Sequence, residues 1–373
     1  MSLSFSFAST LLSTRHALAA PSALAVIALA LGACGGPMIQ ETTSARLDDE
    51  EDERIVPERD DDEPEEPDGI DSGLVVGDDA PITLSPRREV PGTGVSLQAP
   101  EGAQPMPFAA GFIDVRRRLQ ISVVVAEGPP EILESFRHGA GGDGPRPEAV
   151  GQEEAVQISQ VEGRLGRDRI DTGDAQLERT WVLAHDAERQ RGMAVVATYE
   201  AGRAMSVRRM VAASLRTAEW DPSTTIDASE ALGITLGAIE GLELNRGSTS
   251  SLVMVQPGTT MPPDTRAPAV MAAPLPMRVP PEQVDAACPR LLQELLRMPP
   301  DALEAEGTID DGTLQGCERS GTLETPEGPV ATYAAALFHE GLPILVTGSV
   351  GADDFAAWRP RFAQAARSLR ITR

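Results

Sequence analysis

The chain has 373 residues, a formal net charge of −25, 3% aromatic residues and no lysine. That length is a prior for two domains. The missing lysine excludes Schiff-base chemistry and a phosphate-binding P-loop, and the acidity argues against nucleic acid as a partner.

The first element is an uncharged run, 17–33, preceded by Arg15 and His16, the pattern of an export signal. Its core, 23–33, is short and alanine-rich, whereas a membrane-spanning helix needs about 20 strongly apolar residues. The run ends on Leu31-Gly32-Ala33-Cys34, and this quartet resembles the lipobox of bacterial lipoproteins. The resemblance implies cleavage before Cys34, acylation of its sulfur, and a protein anchored by lipid to a membrane of the cell envelope, the outer one in preference, with its domains outside the cytoplasm. Two or more acyl chains give stable anchoring. The alternative is a plain signal peptide with a chance cysteine.

Segment 48–79 holds 17 acidic residues against Arg54 and Arg59, so most of the net charge belongs to it. With few apolar residues and scattered prolines it cannot bury enough surface to offset chain entropy, and a disordered tether is expected over 34–91. The spacing of a calcium-binding loop is absent from it.

Beyond the tether, Gly94-Val-Ser-Leu-Gln-Ala-Pro-Glu-Gly102 is echoed by Gly233-Ile-Thr-Leu-Gly-Ala-Ile-Glu-Gly241, and the "SLRTAEW" from Ser214 by the "SLRITR" from Ser368. These bookends define two tandem domains, 92–221 and 229–373. In the first, apolar and β-branched runs predict strands at 94–99, 121–126, 155–162, 178–184 and 193–199, with helices over 130–136 and 206–215. In the second, strands are expected at 252–255, 330–338 and 343–350, and helices at 282–297 and 353–369. Phe355, Trp358, Phe362, Ala366 and Leu369 share one face of the last helix, where Pro360 should kink the helix or shift its start. The proline-rich stretch 257–281 reads as a long surface connection or contact surface.

The expected fold class is therefore α+β: two units, each an antiparallel sheet covered by helices. The opening "GVSLQAPEG", the late hairpin and the closing "SLR" resemble the Mog1/PsbP-like sandwich of DcrB-type and LpqN-type lipoproteins. The resemblance implies a binding or assembly module and transfers no catalytic residue.

Cys288 and Cys317, placed outside the cytoplasm by the lipobox, are expected to form one disulfide, with metal ligation as the alternative. The literal G-x-G-x-x-G of Gly139–Gly144 follows a helix pattern instead of a strand, which reverses the order a dinucleotide site needs. Gly348-Ser349-Val350 lacks the first glycine of a nucleophile elbow, because Thr347 stands there. His185 and His339 sit at similar hairpin tips, where a shared site competes with simple exposed turns, and His138 stands apart. No catalytic, cofactor-binding or metal-ligating constellation emerges, and no cofactor is expected. The expected function is a membrane-anchored module with a protein or cell-wall partner. The alternatives are a carrier of a small apolar ligand in a sheet–helix pocket and an enzyme of unrecognised type.

Overall fold

A computed structural model describes residues 81–138, 147–171, 175–202, 205–245, 247–259, 263–275, 277–296 and 303–373. Cys34, residues 34–80 of the expected tether and the 139–144 glycine motif lie outside the described residues; the end of that expected tether, 81–91, is ordered by pairing with the first unit, through a Leu84–Pro100 bridge and the strand Arg88–Val90. The first unit runs β1 (Arg88–Val90), β2 (Val95–Leu97), β3 (Gln104–Pro105), β4 (Gly111–Asp114), β5 (Leu119–Glu127), α1 (Glu131–His138), β6 (Glu148–Ala149), β7 (Glu154–Ile158), β8 (Val161–Asp171), β9 (Gln176–Asp186), β10 (Arg191–Glu200), α2 (Met205–Arg216) and β11 (Glu219–Trp220). The second runs α3 (Ala228–Leu232), β12 (Ile234–Thr235), β13 (Glu243–Asn245), β14 (Leu252–Val255), β15 (Ala269–Pro274), α4 (Val284–Leu296), β16 (Leu303–Asp310), β17 (Gln315–Thr325), β18 (Gly328–His339), β19 (Leu342–Gly351), α5 (Phe355–Ser368) and β20 (Arg370–Ile371).

Each unit is built on one antiparallel sheet. The order is β3-β4-β5-β10-β9-β8-β6, with β7 also on β8, in the first, and β13-β14-β15-β19-β18-β17-β16 in the second. The alternation of each strand splits its side chains between two helical layers. In the first unit Val182, Ala184, Met193 and Val195 face the side closed by α2, while Trp181, Leu183 and Ala194 face Leu133 of α1. In the second, Tyr333, Ala335 and Leu337 face α5, and Ala334, Ala336 and Phe338 face α4.

The echoed bookends turn out to be pairing partners. β2 pairs with β11, and β12 with β20. The serine of each "SLR" fastens the same join: Ser214 Oγ donates to Gln98 O at 2.6 Å, and Ser368 Oγ accepts from Gly237 N at 2.9 Å. Gly94 and Gly233 hold φ of 67° and 65°, a left-handed conformation that glycine adopts without steric cost, which explains why both copies open on glycine.

Three expectations need correction. The strand expected at 155–162 is a hairpin, β7 and the start of β8, because the chain reverses at Ser159–Gln160. The stretch 257–281 is not one long loop: Ala269–Pro274 forms β15, a central strand between β14 and β19, and its prolines fall at or beyond the strand's end. The last helix continues through Pro360, with a 3₁₀ turn at Ala352–Asp354 before it; Phe362, Ala366 and Leu369 are buried, and Phe355 and Trp358 pack against them.

The two units are joined by more than the chain. Phe108, from the β3–β4 connection, lies in the core of the second unit with Leu232, Ile234 and Leu337, and its ring meets that of His339 edge-on at 5.8 Å. Ala126 at the end of β5 bridges to Ser248, and Thr249 N donates to Val125 O at 3.0 Å. Arg191 Nη1 holds the connecting segment by Pro222 O and Thr224 O.

Candidate functional site

A trough of about 630 Å³ opens on the α1 side of the first sheet, within the size range of ligand sites. Its floor is made by β7, β8 and β9, whose register brings Ala155 opposite Arg164 and Arg164 opposite Leu183. Pro130 and Leu133 of the α1 turn form one wall. Arg164 spans the trough, its Nη2 on Glu134 Oε1 at 2.5 Å and its Nη1 on Glu153 Oε2 at 3.0 Å. The bond to Glu134 is the first cause of a guanidinium pKa raised above its ordinary value, so this charge is fixed at any physiological pH. His185 closes one end with Nε2 at 2.9 Å from Gly128 O.

Among the described residues, the two units cover equivalent faces with helices of different length. In the second unit α4 is 13 residues long and buries Val284, Cys288, Leu291, Leu292 and Leu296 against β17–β19. The Sγ atoms of Cys288 and Cys317 stand at bonding distance, 2.06 Å, with Cα atoms 6.0 Å apart, so the expected cysteine pair comes together and fastens α4 to β17. In the first unit α1 has 8 described residues, of which Leu133, with Ile132 and Phe136, packs on its sheet. At 1.5 Å rise per residue, α4 reaches about 7 Å further than α1.

Among the described residues, β7 forms an edge of the sheet next to the trough and pairs only with β8. The two-residue turn closes on the Ile158–Val161 pair, so ladder bonds alternate through Ile158, Val156 and Glu154, and the backbone N–H and C=O of Ala155 and Gln157 point away from the sheet. Those two residues also line the trough.

The remaining polar sites hold the fold together. Glu178 on β9, nearly fully buried, is held by Arg208 Nε and Nη2 of α2 at 2.7 and 2.5 Å. Tyr199 sits beside it, its hydroxyl 3.1 Å from Thr180 Oγ1 and its pKa pushed up by burial. In the second unit Tyr333 Oη donates to Glu318 Oε2 at 2.5 Å, and Arg367 Nη2 of α5 reaches Oε1 at 2.6 Å. Both carboxylates receive an arginine from the helix that closes the unit.

His185 and His339 do not share a site. Strand alternation sends His185 to the α1 face, with Trp181 and Leu183, and His339 to the α5 face of its own sheet, against Phe108. Ser349 lies inside β19, buried, with Phe362 packed over the neighbouring Gly348, so it occupies no exposed turn. His138 ends α1. Among the described residues no three His, Cys, Asp or Glu gather as a metal site, and no helix is long and apolar enough to cross a membrane.

No family model and no curated protein matches the chain. Among solved structures, cyanobacterial PsbP (CyanoP) from Synechocystis sp. PCC 6803 is 14% identical over 39% of this chain and 96% of its own, with a TM-score of 0.29. The Ran-binding protein Mog1p of Saccharomyces cerevisiae is 13% identical over 38% and 90%, with a TM-score of 0.26. The immunity protein TplEi of the T6SS from Pseudomonas aeruginosa is 10% identical over 78% of this chain and 97% of its own, with a TM-score of 0.28. PsbP and Mog1 are the folds that the sequence resembles, and at these identities and scores the likenesses carry no argument about function.

Proposed function

We propose that the chain is a lipid-anchored protein of the bacterial envelope whose folded units bind another protein. The observation that carries the binding role is the trough beside the unpaired edge of β7. A carrier of an apolar molecule needs an enclosed apolar cavity, whereas this site lies open and is crossed by a carboxylate–guanidinium–carboxylate bridge that would stay hydrated beside such a ligand. A polypeptide supplies both backbone groups for the edge and side chains for the trough. The anchoring role rests on the Leu31–Cys34 quartet.

Two measurements in the native host test this reading. Cys34→Ser should abolish lipid labelling and release the protein from membranes; retention of the variant would refute the anchor. A photo-crosslinking residue placed at Gln157 and, separately, at surface positions of the second unit should give a discrete protein adduct in the membrane fraction. Failure to obtain an adduct from any position would refute the binding role.

A further inference from the structure

We infer that the two units are held by a reciprocal interface in which each hands the same connection to the other, and that, once the linker is cut, this surface pairs with the opposite unit of a second copy. It rests on neither the anchor nor the trough.

The strand orders make β3, β4 and β5 of the first sheet the counterparts of β13, β14 and β15 of the second. In both units the connection into the second of these strands crosses to the other unit. Phe108, from the β3–β4 connection, is buried with Leu232, Ile234 and Leu337 of the second unit. Thr249, from the β13–β14 connection, is buried against the first. Each arrives at the same end of the receiving sheet: Phe108 beside His339 at the β18–β19 hairpin tip, Thr249 at the end of β5 beside the start of β10. Mutual exchange of equivalent pieces is the mark of a two-fold, self-complementary contact.

The backbone of β5 shows what the exchange supplies. β4 pairs with β5 only from Leu119 to Ser122. Further along the same edge Val125 N donates to Thr249 Oγ1 at 3.0 Å, Thr249 N donates back to Val125 O at 3.0 Å, and Glu127 N donates to Gly247 O at 2.7 Å. Ser248 bridges to Ala126, so the second unit completes the edge that β4 leaves open. Val125 is buried, and without the other unit its N–H and C=O would lose these partners. α3 adds to the join, with Ala231 in the first core and Ala228 and Leu232 in the second.

The two connections also decide which units pair. Phe108 brings a ring to an apolar receiver, whereas Thr249 brings a hydroxyl to a backbone N–H, so a first unit and a second unit satisfy both. Two first units would set Phe108 against the polar backbone that Thr249 now satisfies.

The test uses the full chain in detergent, with a specific protease site inserted between Thr224 and Thr225 and cut after folding. Arg191 holds Pro222 O and Thr224 O, so its grip stays within one fragment. The cut halves should co-elute in size-exclusion chromatography at micromolar concentration. Two cut preparations, one tagged on its second unit and the other fluorescent on its first, are then unfolded and refolded together. Capture of the tag should recover fluorescent first units, and a tag moved to the first unit should recover none. Phe108→Ala should weaken pairing of the cut halves at least about hundredfold, and Thr249→Val about tenfold. Should the insertion unfold the chain, the site moves to the Ser223–Thr224 bond. The inference is overturned if the cut halves separate, if no hybrid pair forms, if first units capture first units, or if neither substitution weakens the pairing.

Discussion

Phe108→Ala should uncouple the two units. The ring is 6% exposed and is counted with Leu232, Ile234, Leu337 and Phe362 in the second unit's core, although its backbone belongs to the first. Burying a phenylalanine of about 200 Å² at about 25 cal/mol/Å² is worth about 5 kcal/mol as an upper bound. Phe-to-Ala truncations in cores cost about 3 to 5 kcal/mol. Since Phe108 holds a positive φ of 56°, which alanine tolerates no better, the change recovers no strain. A loss of about 3 kcal/mol or more is expected, concentrated on the coupling between units. The assay is urea unfolding followed by tryptophan fluorescence, with Trp181 and Trp220 reporting the first unit and Trp358 the second. The wild type should unfold in one transition and the variant in two. Two well-separated transitions in the wild type, or a loss below about 1 kcal/mol in the variant, would refute the joint core.

Reduction of the Cys288–Cys317 bridge, or Cys288→Ser with Cys317→Ser, opens a loop of 29 residues and should cost about 3 to 4 kcal/mol in the chain-entropy model; hydrogen exchange should show the loss centred on α4, β16 and β17, and free thiols in protein from the envelope would contradict the bridge. Arg367→Ala leaves Glu318 buried with Tyr333 alone and, because the arginine side chain is half exposed, should cost about 1 to 2 kcal/mol; Glu318→Gln added to it should recover part of the loss, and equal stability of wild type and Arg367→Ala in chemical denaturation would rule out the clamp. Tyr199 has its phenol pKa raised by burial, so its contribution to stability is present below the ordinary phenol pKa of about 10 and is lost as pH rises through the folded value; ultraviolet titration should find this tyrosine un-ionised until alkaline unfolding, and phenolate absorbance near pH 10 in the folded protein would refute the assignment.

The bookends were legible because each copy opens on a glycine before a short apolar strand and closes on an "SLR" at its last helix, and the pairing of the two ends rewards the same residues in both copies. The long strands with continuous apolar runs, β5, β9, β10, β18 and β19, were legible for the same reason. β8 was not, because its 11 residues include three acidic and three basic side chains and two glycines between few apolar positions: Gly166 makes room for the ring of Trp181, and Asp168 is buried by bonding Trp181 Nε1 at 2.9 Å. β15 was hidden by flanking prolines, although Ala269 to Ala273 are all buried. The trough had no signature to read. Its groups come from α1, β7, β8 and β9, each is an ordinary residue for its element, and only the register places Ala155, Arg164 and Leu183 side by side.

The comparison between the units explains why binding is assigned to the first. Both sheets must cover two faces, and both close one of them with the helix that precedes the bookend strand, through an arginine on a buried glutamate. On the other face they diverge. The second unit uses its disulfide and a 13-residue helix to cover β17 to β19. In the first unit the described part of α1 has 8 residues, and beside it the floor is bridged by Arg164. Among the described residues β7 has a neighbour on one side only, and a strand edge of this kind is an aggregation hazard unless charge guards it. Glu162, which lines the trough beside β7 in a chain of net charge −25, contributes to that guard and repels a second copy of the same edge. Glu162→Gln should therefore relax the guard, read as a rise in self-association at low salt by light scattering, and unchanged association would refute the role given to this carboxylate.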